Sequence, residues 1–370
     1  MSDRLTIAAS PLPPLAELAS LWRTFDAQSD MSFFVAWPWI GVWLELLPPA
    51  LAPQLLRLEQ DGVCRGAAIA VRHDSRRHGF VAAHGLFLNA TGDRDLDCLT
   101  IEHNGFAGCG IDRGEAWRAL VEWFGASAIS VDEFDLPGVT DIIALEPLGS
   151  VQHRHGYRVD LAQIRNGNGK IGAILSANAR QQLNSAMRAL AAEGPIALDS
   201  ARGADEALAF FDDLKQFHIR SWTRRGRRHA FESPFFERFH RALIARGAEA
   251  GDVELLRLRA GGTAFGYLYN FRRNGHVYAY QSGFDDTNSR LRPGYVAHAL
   301  AIERYGGTGA TVYDFMAGSN RLKESFATER YDMYWYTLRR PLLRFRAEQV
   351  ARAAKERLLS PLRARSGRPL

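Results

Sequence analysis

Cysteine is scarce in this chain of 370 residues, which has only Cys64, Cys98 and Cys109. An odd count without a Cys-x-x-Cys pair argues against a disulfide framework and favours a reducing compartment, the cytoplasm. A charged-then-apolar signal segment is also lacking at the N-terminus. A strongly apolar stretch, Met31 to Leu47, is short for a membrane span and is interrupted by a proline and a glutamate. It therefore predicts a buried helix or a surface that contacts an acyl chain.

The folded part of the chain also lacks a surplus of positive charge. The formal net charge is +5, but residues 339–370 hold ten Lys or Arg and only two Glu, a net of +8 that leaves about −3 for the rest. A nucleic-acid groove needs basic residues clustered on the folded domains, so no nucleic-acid partner is expected. The apolar content of 46% is typical of a folded protein, and the length predicts two domains.

The most informative segment runs from Gly262 to Thr328. Two aromatic-rich runs, Thr263–Phe271 and His276–Phe284, flank Arg-Arg-Asn-Gly, which predicts an antiparallel hairpin. A polar loop and then Pro-Gly follow, and Pro-Gly is suited to open a helix. A helix N-terminus with free N–H groups, a glycine and nearby arginines can bind a pyrophosphate. The predicted pyrophosphate loop consists of Ser289, Arg290, Arg292, Pro293 and Gly294.

This order of elements resembles the GNAT acyltransferase superfamily. More narrowly it is similar to the family named after the cellulose-biosynthesis protein CelD and to bacterial ceramide synthases, and more distantly to FemABX proteins. The likeness covers residues 176–338 well and the first half less specifically. Where the family usually has a tyrosine before a lysine, this chain has Leu322, which lacks a hydroxyl. The matching blocks are Phe217–Trp222 with Arg225–Gly226, Phe231, Phe239–His240, Tyr280–Asp285, Pro293–Gly294 with His298, Tyr313–Phe315 with Gly318, and Arg321–Lys323.

The resemblance implies a mixed α/β (α+β) fold of tandem GNAT-like domains, each with a mostly antiparallel sheet flanked by helices. We predict a degenerate GNAT-like domain over residues 1–165, an acyltransferase domain with the acyl-CoA site over residues 166–340, and a basic helical tail over residues 341–370. In such folds the strand before the pyrophosphate loop holds the pantetheine arm. Gln281 and Ser282 are therefore expected to join the loop in binding acyl-CoA.

Periodicity and turn signals predict the other elements. Helices are expected over Arg113–Phe124, after an N-cap at Ser176, over Asp205–Trp222 and over Pro234–Arg246. Strands are expected over Gln54–Leu58, Arg65–Arg72, Gly79–Leu88, Leu99–Ile101, Ile129–Leu136, Arg158–Leu161 and Met333–Leu338.

Four residues of the second half are candidates for the chemistry. His218 could take a proton as an amine attacks a thioester, because histidine titrates in the useful range; a core histidine on an apolar helix face is the alternative. Asp314 ends a strand, and its alternative role is a structural salt bridge. Lys323 could orient a carbonyl or an anionic group by its charge, or simply lie on the surface. Tyr280 is a candidate general acid, although the backbone of its strand carries more of the implied binding.

In the first half, polar residues crowd a short apolar run between Asp97 and Gly105. They suggest the rim of a pocket, where Glu102 could attract a cationic amine; a turn with a buried, hydrogen-bonded glutamate is the alternative. The run His153-Arg154-His155 has no carboxylate or thiol beside it and has a cation between its imidazoles. It is therefore a poor metal site, and no metal is predicted.

The resulting prediction is an acyl-CoA-dependent N-acyltransferase that transfers directly to an amine, since no Gly-x-Ser-x-Gly or catalytic-cysteine motif is present. A long-chain lipid amine such as a sphingoid base is the preferred acceptor. The alternatives are an amino sugar or polysaccharide precursor, FemABX-type aminoacyl transfer from tRNA, and an inactive recruiting module. Five aromatic residues could line a channel for the chain or pack in the core: Phe33, Phe34, Trp37, Trp39 and Trp43.

The tail predicts a location at the inner face of the membrane. Pro341 can begin a helix with apolar residues at helical spacing, and Pro361 would end it. A basic amphipathic segment can bind an anionic membrane surface peripherally. A solvated helix that packs on the body and continues into a disordered end is the alternative.

Overall fold

Thirteen strands of the described chain form one sheet with helices on its faces. The computed structural model describes residues 4–26, 30–77, 81–108, 110–126, 130–144 and 149–348. The strands are β1 (Thr6–Pro11), β2 (Gln54–Gln60), β3 (Val63–Arg77), β4 (Val81–Leu88), β5 (Ala107–Gly108), β6 (Glu133–Val139), β7 (Ser150–Asp160), β8 (Ile196–Ser200), β9 (Val253–Ala260), β10 (Thr263–Arg273), β11 (His276–Phe284), β12 (Val312–Ala317) and β13 (Glu329–Arg339). The helices are α1 (Leu15–Asp26), α2 (Trp37–Leu46), α3 (Arg113–Ala126), α4 (Leu161–Asn166), α5 (Ala177–Ala191), α6 (Gly203–Arg224), α7 (Pro234–Ala250), α8 (Pro293–Gly306) and α9 (Arg321–Phe326).

The strand order is β1-β2-β3-β4-β6-β13-β7-β12-β11-β10-β9-β8, with β5 beside β3. Among the described residues, strand pairs are antiparallel except for β4 with β6 and β11 with β12. The expected mixed, mostly antiparallel sheet flanked by helices is therefore confirmed.

The predicted hairpin and helix starts are confirmed by local chemistry. Asn274 and Gly275 have φ of 47° and 75°, so the turn between β10 and β11 takes the left-handed conformation that Asn-Gly favours. The Ser176 hydroxyl accepts the N–H of Ala179 and so caps α5. Pro293 is the first residue of α8, where the missing N–H costs nothing.

The predicted strand over Leu99–Ile101 is wrong. Residues 97–99 form a short 3-10 helix, and Thr100 has φ of 49°, which an extended strand does not allow. The carboxylate of Asp97 accepts the backbone N–H groups of Thr91 and Gly92 at 2.8 and 2.7 Å, which folds this segment into a turn. The other predicted strands are found with shifted ends, although residues 79–80 and 129 lie outside the described part.

The chain folds as the same succession of elements twice. β1, α1, α2 and the antiparallel strands β2–β3–β4 are followed by α3 and by β6, which pairs parallel to β4. β8, α6, α7 and the antiparallel strands β9–β10–β11 are followed by α8 and by β12, which pairs parallel to β11. The two halves of the chain therefore have equivalent topologies, as the prediction of tandem domains requires.

The final strands of the two halves are exchanged. β7 closes the first half in sequence but pairs with β12 of the second half. β13 closes the second half but pairs with β6 of the first, and β7 and β13 pair with each other. The halves thus share one continuous sheet, and the boundary near residue 165 stays a prediction.

The apolar stretch around α2 lies in the largest described core cluster. Phe33, Phe34, Trp39 and Trp43 are buried there against α7 and β10, and the Phe33 ring stacks on Phe271 with centroids 4.4 Å apart. Core packing therefore accounts for most of these aromatic side chains. Among the described helices, none combines the length and apolarity needed to cross a membrane.

The beginning of the predicted tail packs on the body. Residues 343–348 are helical, Phe345 is buried, and Arg344 forms an ion pair with Asp132. The rest of the predicted amphipathic helix, from residue 349 onward, lies outside the described residues.

Candidate active site

The largest cavity near the predicted site opens where β11 and β12 separate. These parallel strands are paired only over His276–Tyr278 and Val312–Asp314. Beyond that point, residues from both strands line a cavity of about 640 Å³. Helix α6, the start of α8 and the Cys98–Glu102 segment of the first half supply further walls. The site is therefore built from both halves of the chain.

The cavity brings together most of the predicted residues. Four of the five candidates for chemistry and three of the seven for cofactor binding line it: Glu102, His218, Tyr280, Lys323, Gln281, Ser282 and Gly294. Asp314 is fully buried behind the wall. Ser289, Arg290 and Arg292 are exposed on the adjoining loop, and Pro293 is buried at the start of α8.

On the β12 side of the cavity, the Glu102 carboxylate and the Lys323 ammonium group both bind a backbone bulge at Met316 and Ala317. Met316 has φ of 64°, and this turn of the backbone directs the Ala317 N–H to Glu102 Oε2 at 2.8 Å. Lys323 Nζ donates to the carbonyl oxygens of Met316 and Ala317 at 3.2 and 2.8 Å. Asn320 caps α9 by accepting the Lys323 N–H at 3.0 Å and so positions this lysine.

Burial shifts the pKa values of this pair in opposite directions. It raises the pKa of Glu102 above its ordinary value, although the Ala317 N–H and the charges of His103 and Lys323 act against the rise. Burial lowers the pKa of Lys323, and the charges of Glu102 and Asp314 oppose that change. The raised pKa makes the ionised form of this carboxyl a stronger base than an ordinary glutamate.

The β11 side of the cavity holds a neutral histidine. His218 Nδ1 lies 3.2 Å from the Ser282 carbonyl oxygen, so Nδ1 carries the proton and Nε2 has a free lone pair. Among the described atoms, Nε2 is buried without a hydrogen-bond partner. Burial lowers the pKa of His218 to about 4, so the imidazole stays uncharged at neutral pH and is a weak base.

A glycine allows His218 to reach this position. A Cβ on Gly283 would lie 2.4 Å from the Leu214 carbonyl oxygen and 3.0 Å from the backbone nitrogen of His218. Only glycine therefore lets α6 pack directly on the end of β11.

Tyr280 contributes its ring to the cavity but uses its hydroxyl elsewhere. The hydroxyl donates to the Leu99 carbonyl oxygen and lies 3.2 Å from His240 Nε2, while His240 Nδ1 lies 3.1 Å from the Tyr269 hydroxyl. Burial raises the pKa of Tyr280 well above its usual range. This hydrogen-bond chain gives Tyr280 a structural role and leaves it poorly suited to act as a general acid.

Asp314 is the centre of a buried network and does not face the cavity. His103 Nε2 and His276 Nε2 lie 3.2 and 3.1 Å from Oδ2, the Tyr331 hydroxyl donates to Oδ1 at 3.0 Å, and the Met316 N–H donates at 2.6 Å. Burial alone would raise the pKa of Asp314, but the hydrogen bonds from both histidines hold it well below its usual range. The ionised carboxylate thus positions the Met316 bulge.

The predicted pyrophosphate loop meets the cavity through Gly294. A Cβ at Gly294 would lie 3.2 Å from the Phe284 ring, so this glycine keeps the mouth of the cavity open at the start of α8. Arg292 Nη1 donates to the Gln182 side chain at 2.8 Å, and its guanidinium lies over the Tyr295 ring. A phosphate would therefore compete with Gln182 for this arginine.

A second cavity, of about 360 Å³, lies at the equivalent place in the first half. β4 and β6 are paired only over Gly85–Phe87 and Glu133–Asp135, and residues that follow both segments line this cavity. The segment from Leu96 to Glu102 separates it from the first. The residues of this segment divide between the cavities: Leu96, Asp97, Leu99 and Ile101 line the second cavity, Cys98 and Glu102 line the first, and Thr100 lines both.

Several residues of the site were not among the sequence candidates. Arg225 lines the first cavity, and its only sequence signal was its place in a block that carries the family resemblance. Phe236 lines the same cavity from α7. Asn320 had a detectable signal, because Asn before a short helical segment is typical of an N-cap.

Comparisons with known proteins agree with this geometry. Residues 177–324 match the family model described as Acetyltransferase (GNAT) domain. No curated protein matches the sequence. The narrower likeness to the CelD family stays a prediction.

Three solved structures are similar to this chain. FemX aligns at 12% identity over 88% of this chain and 96% of its own, with a TM-score of 0.56. A conserved protein of unknown function from Bacteroides thetaiotaomicron aligns at 11% identity over 90% of this chain and 100% of its own, with a TM-score of 0.52. The C-terminal DUF2156 domain of a candidate lysylphosphatidylglycerol synthetase from Agrobacterium fabrum aligns at 10% identity over 93% and 96%, with a TM-score of 0.51. At such identities the likeness establishes the fold alone.

Proposed function

We propose that this acyltransferase, whose residues 177–324 match the GNAT domain, moves an acyl group from acyl-CoA directly to the amine of a long-chain lipid such as a sphingoid base. The observation that carries the proposal is the Leu96–Glu102 segment. One side of it presents the Glu102 carboxyl to the cavity between β11 and β12, and the other side lines an aromatic cavity. A polar reaction site thus adjoins a place for an aliphatic chain.

The first cavity has the features that an acyl-CoA site needs. Strands β11 and β12 diverge beyond their paired segments, which leaves room beside the β11 backbone for the pantetheine arm. The N-terminus of α8 lies beside Gly294 at the mouth of this cavity, and the positive end of the helix dipole attracts phosphate oxygens. The bound thioester would supply the activated acyl group. We infer that Gln281, Ser282 and Gly294 line its path.

Glu102 is the proposed general base. An amine enters as a cation, and a buried carboxylate both attracts it and accepts its proton. His218 has a pKa of about 4, so it is too weak a base for this step at neutral pH. Its free Nε2 lone pair is instead suited to accept a hydrogen bond from the attacking nitrogen and to orient it.

Direct transfer is favoured over an acyl-enzyme. Among the described residues, Cys98 is the cysteine that lines the first cavity, and its thiol donates to the Asp95 carbonyl oxygen. Burial raises the pKa of this thiol, which disfavours the thiolate that a nucleophile needs.

The second cavity favours an aliphatic acceptor over a sugar. Three of its polar side chains already have partners within the protein: Asn89 donates to Asn104, Asp97 accepts from Thr91, and Asp135 accepts from Thr337. The rest of its lining includes Thr100, Ser150 and Gln152, but aromatic and aliphatic residues outnumber them: Trp39, Trp43, Phe87, Ile101, Pro137 and Trp335. This surface suits an aliphatic chain, whereas an amino sugar would have to rely on Thr100, Ser150 and Gln152 for hydrogen bonds to its hydroxyl groups.

Aminoacyl transfer is the alternative activity, and the similarity to FemX and to the candidate lysylphosphatidylglycerol synthetase domain keeps it open. It requires a basic surface large enough for tRNA. The net positive charge of this chain lies in residues 339–370, whereas the remainder is slightly negative. The charge distribution therefore favours acyl-CoA as the donor.

The test is an acyl-transfer assay with the purified full chain. Palmitoyl-CoA, acetyl-CoA or charged tRNA is supplied as the donor and sphinganine or a nucleotide-linked amino sugar as the acceptor, and products are identified by mass spectrometry. We expect an N-acylated sphingoid base, formed at least about 100-fold more slowly by Glu102→Gln. Acylation of the amino sugar alone would show that the proposed acceptor is wrong. Aminoacyl transfer from tRNA would show that the proposed donor is wrong. No acyl transfer from either CoA ester would overturn the proposal.

A further inference from the structure

Strands β7 and β13 carry a cluster of two imidazoles and one carboxylate that the proposed chemistry does not use. His153 Nε2 lies 2.8 Å from Asp332 Oδ1, and His155 Nδ1 lies 2.9 Å from the same oxygen. The three ligand atoms all lie within 4.8 Å of one another. We propose that this cluster binds a divalent transition metal such as Zn²⁺ or Ni²⁺ and links the two exchanged strands.

The pairing of the strands removes both objections that the sequence raised against a metal at this place. Asp332, far away in sequence, is paired with His155 across the antiparallel ladder, which supplies the carboxylate. Side chains alternate along a strand, so Arg154 points to the opposite face, where its guanidinium lies 5.0 Å from the centre of the Trp335 ring. The cation between the imidazoles therefore does not oppose a bound metal.

The ligand set selects the kind of metal. Imidazole nitrogens suit zinc, nickel and copper, whereas magnesium and calcium prefer oxygen ligands. Two histidines and one carboxylate leave one position for water, as in three-ligand zinc sites. In a tetrahedral site with metal–ligand bonds of about 2.0 Å, ligand atoms lie about 3.3 Å apart. The present 2.8 and 2.9 Å contacts need to open by only a few tenths of an ångström.

The side chains have the freedom to make that adjustment. The exposed fractions of the side chains are 40% for His153, 37% for His155 and 49% for Asp332. Solvent access also lets a metal reach the cluster from bulk water. Because β7 ends the first half and β13 ends the second, a bound metal would cross-link the strands that the halves exchange. The proposed metal site is independent of acyl transfer.

The test is isothermal titration of Zn²⁺ and Ni²⁺ into the untagged full chain, with Mg²⁺ as a negative control. We expect one site for the transition metals and an increase in Tm when they are bound. His155→Ala and Asp332→Asn should each weaken binding at least about tenfold, since each removes a ligand, and should abolish the increase in Tm. The metal-free Tm of each variant checks that it folds.

His84→Ala is the matched control. His84 Nδ1 lies 2.9 Å from Asp74 Oδ1 on the antiparallel pair β3–β4, which gives the same cross-strand His–Asp contact without a second histidine ligand. This variant should bind the metal like the natural chain. Unchanged affinity in His155→Ala, or no measurable site for either metal, would overturn the proposal.

Discussion

The backbone N–H of Ala317 donates to Glu102 Oε2 at 2.8 Å, across 215 residues of sequence. The donor belongs to the end of β12 in the second half, and the acceptor belongs to the wall segment of the first half. The two halves are therefore joined at the point where we place the chemistry. Neither half alone would hold the carboxyl against the bulge at Met316, which explains why the site needs both.

Glu102→Gln should reduce kcat/KM by about 100-fold or more, because general-base catalysis contributes about 10²–10⁴-fold. The amide oxygen of glutamine can still accept the Ala317 N–H, so the cavity should keep its shape. The folded-state pKa of Glu102 is raised, so its ionisation lowers the free energy of unfolding as pH rises from the ordinary value of 4.5 through the raised pKa, and the loss is constant above that pKa. The variant should therefore melt at the same or a higher temperature at pH 8.

The pH profile gives a second measurement of the same residue. Activity of the natural enzyme should rise with pH as Glu102 ionises, with an apparent pKa above 4.5. That limb should disappear in Glu102→Gln and persist in Glu115→Gln, which changes an exposed glutamate on α3. A pH profile that is unchanged in Glu102→Gln would assign the base to another group.

Two substitutions of His218 should separate its donor from its acceptor. Asparagine can keep an N–H near Nδ1 for the Ser282 carbonyl but lacks the Nε2 lone pair. Glutamine can place an amide oxygen near Nε2. If the free lone pair orients the amine, His218→Asn should lower kcat by about 3–10-fold, the worth of one hydrogen bond, and His218→Gln should lose less. Equal losses of kcat in both variants, together with a lowered Tm, would indicate that His218 has a packing role instead.

Acyl-CoA binding should depend on Gly294 more than on Arg292. A Cβ at position 294 would lie only 3.2 Å from the Phe284 ring, and valine adds two methyl groups beyond it. Gly294→Val should therefore close the mouth of the cavity. We expect the Kd for acyl-CoA to rise at least about tenfold, as expected for a built-in clash. Arg292→Ala should change Kd only about twofold to threefold, because this exposed arginine is already bonded to Gln182. A larger effect of Arg292→Ala would mean that the arginine leaves Gln182 for the phosphates.

Local sequence signals were enough to predict α3, α5, α6 and α7, the β10–β11 hairpin and the start of α8, but not α1, α4 or α9. Each depends on residues close together in the chain, such as Asn274 with Gly275 or Ser176 with Ala179. The repeat of elements was not visible, because equivalent topology does not require similar residues. The exchange of β7 and β13 depends on pairings between distant strands, and no short pattern encodes such pairings.

The same distinction applies to the site. His218 and Lys323 were predicted from residue type and from the family blocks, but the role of Asp314 depends on His103, which comes from the other half. The turn at Thr100 was missed because an apolar run between polar residues reads as a strand until the Asp97 carboxylate is seen to cap it. The contact between Asp332 and His155 likewise follows from strand register alone.

Peripheral membrane binding should depend on the chain beyond residue 348. Residues 349–370 contain six Lys or Arg and one Glu, and each basic residue near an anionic surface contributes about 1 kcal/mol. Deletion of these residues should abolish salt-sensitive sedimentation with anionic liposomes while turnover on a soluble short-chain amine is kept. The deletion should begin after Glu348, because Phe345 is buried and Arg344 pairs with Asp132. Equal pelleting of both chains would contradict membrane binding by the tail.

Thr100 should control which acceptors react, because it borders both cavities. Thr100→Trp should fill the space between them and lower kcat/KM for a long-chain amine at least about tenfold, while a short-chain amine that needs only the first cavity should be little affected. Thr100→Gly is the matched control, since glycine accepts the φ of 49° without strain and leaves the space open. It should keep activity on both amines and melt at the same or a higher temperature. If Thr100→Trp slows both amines equally, the aromatic cavity does not hold the acceptor chain and its role must lie elsewhere.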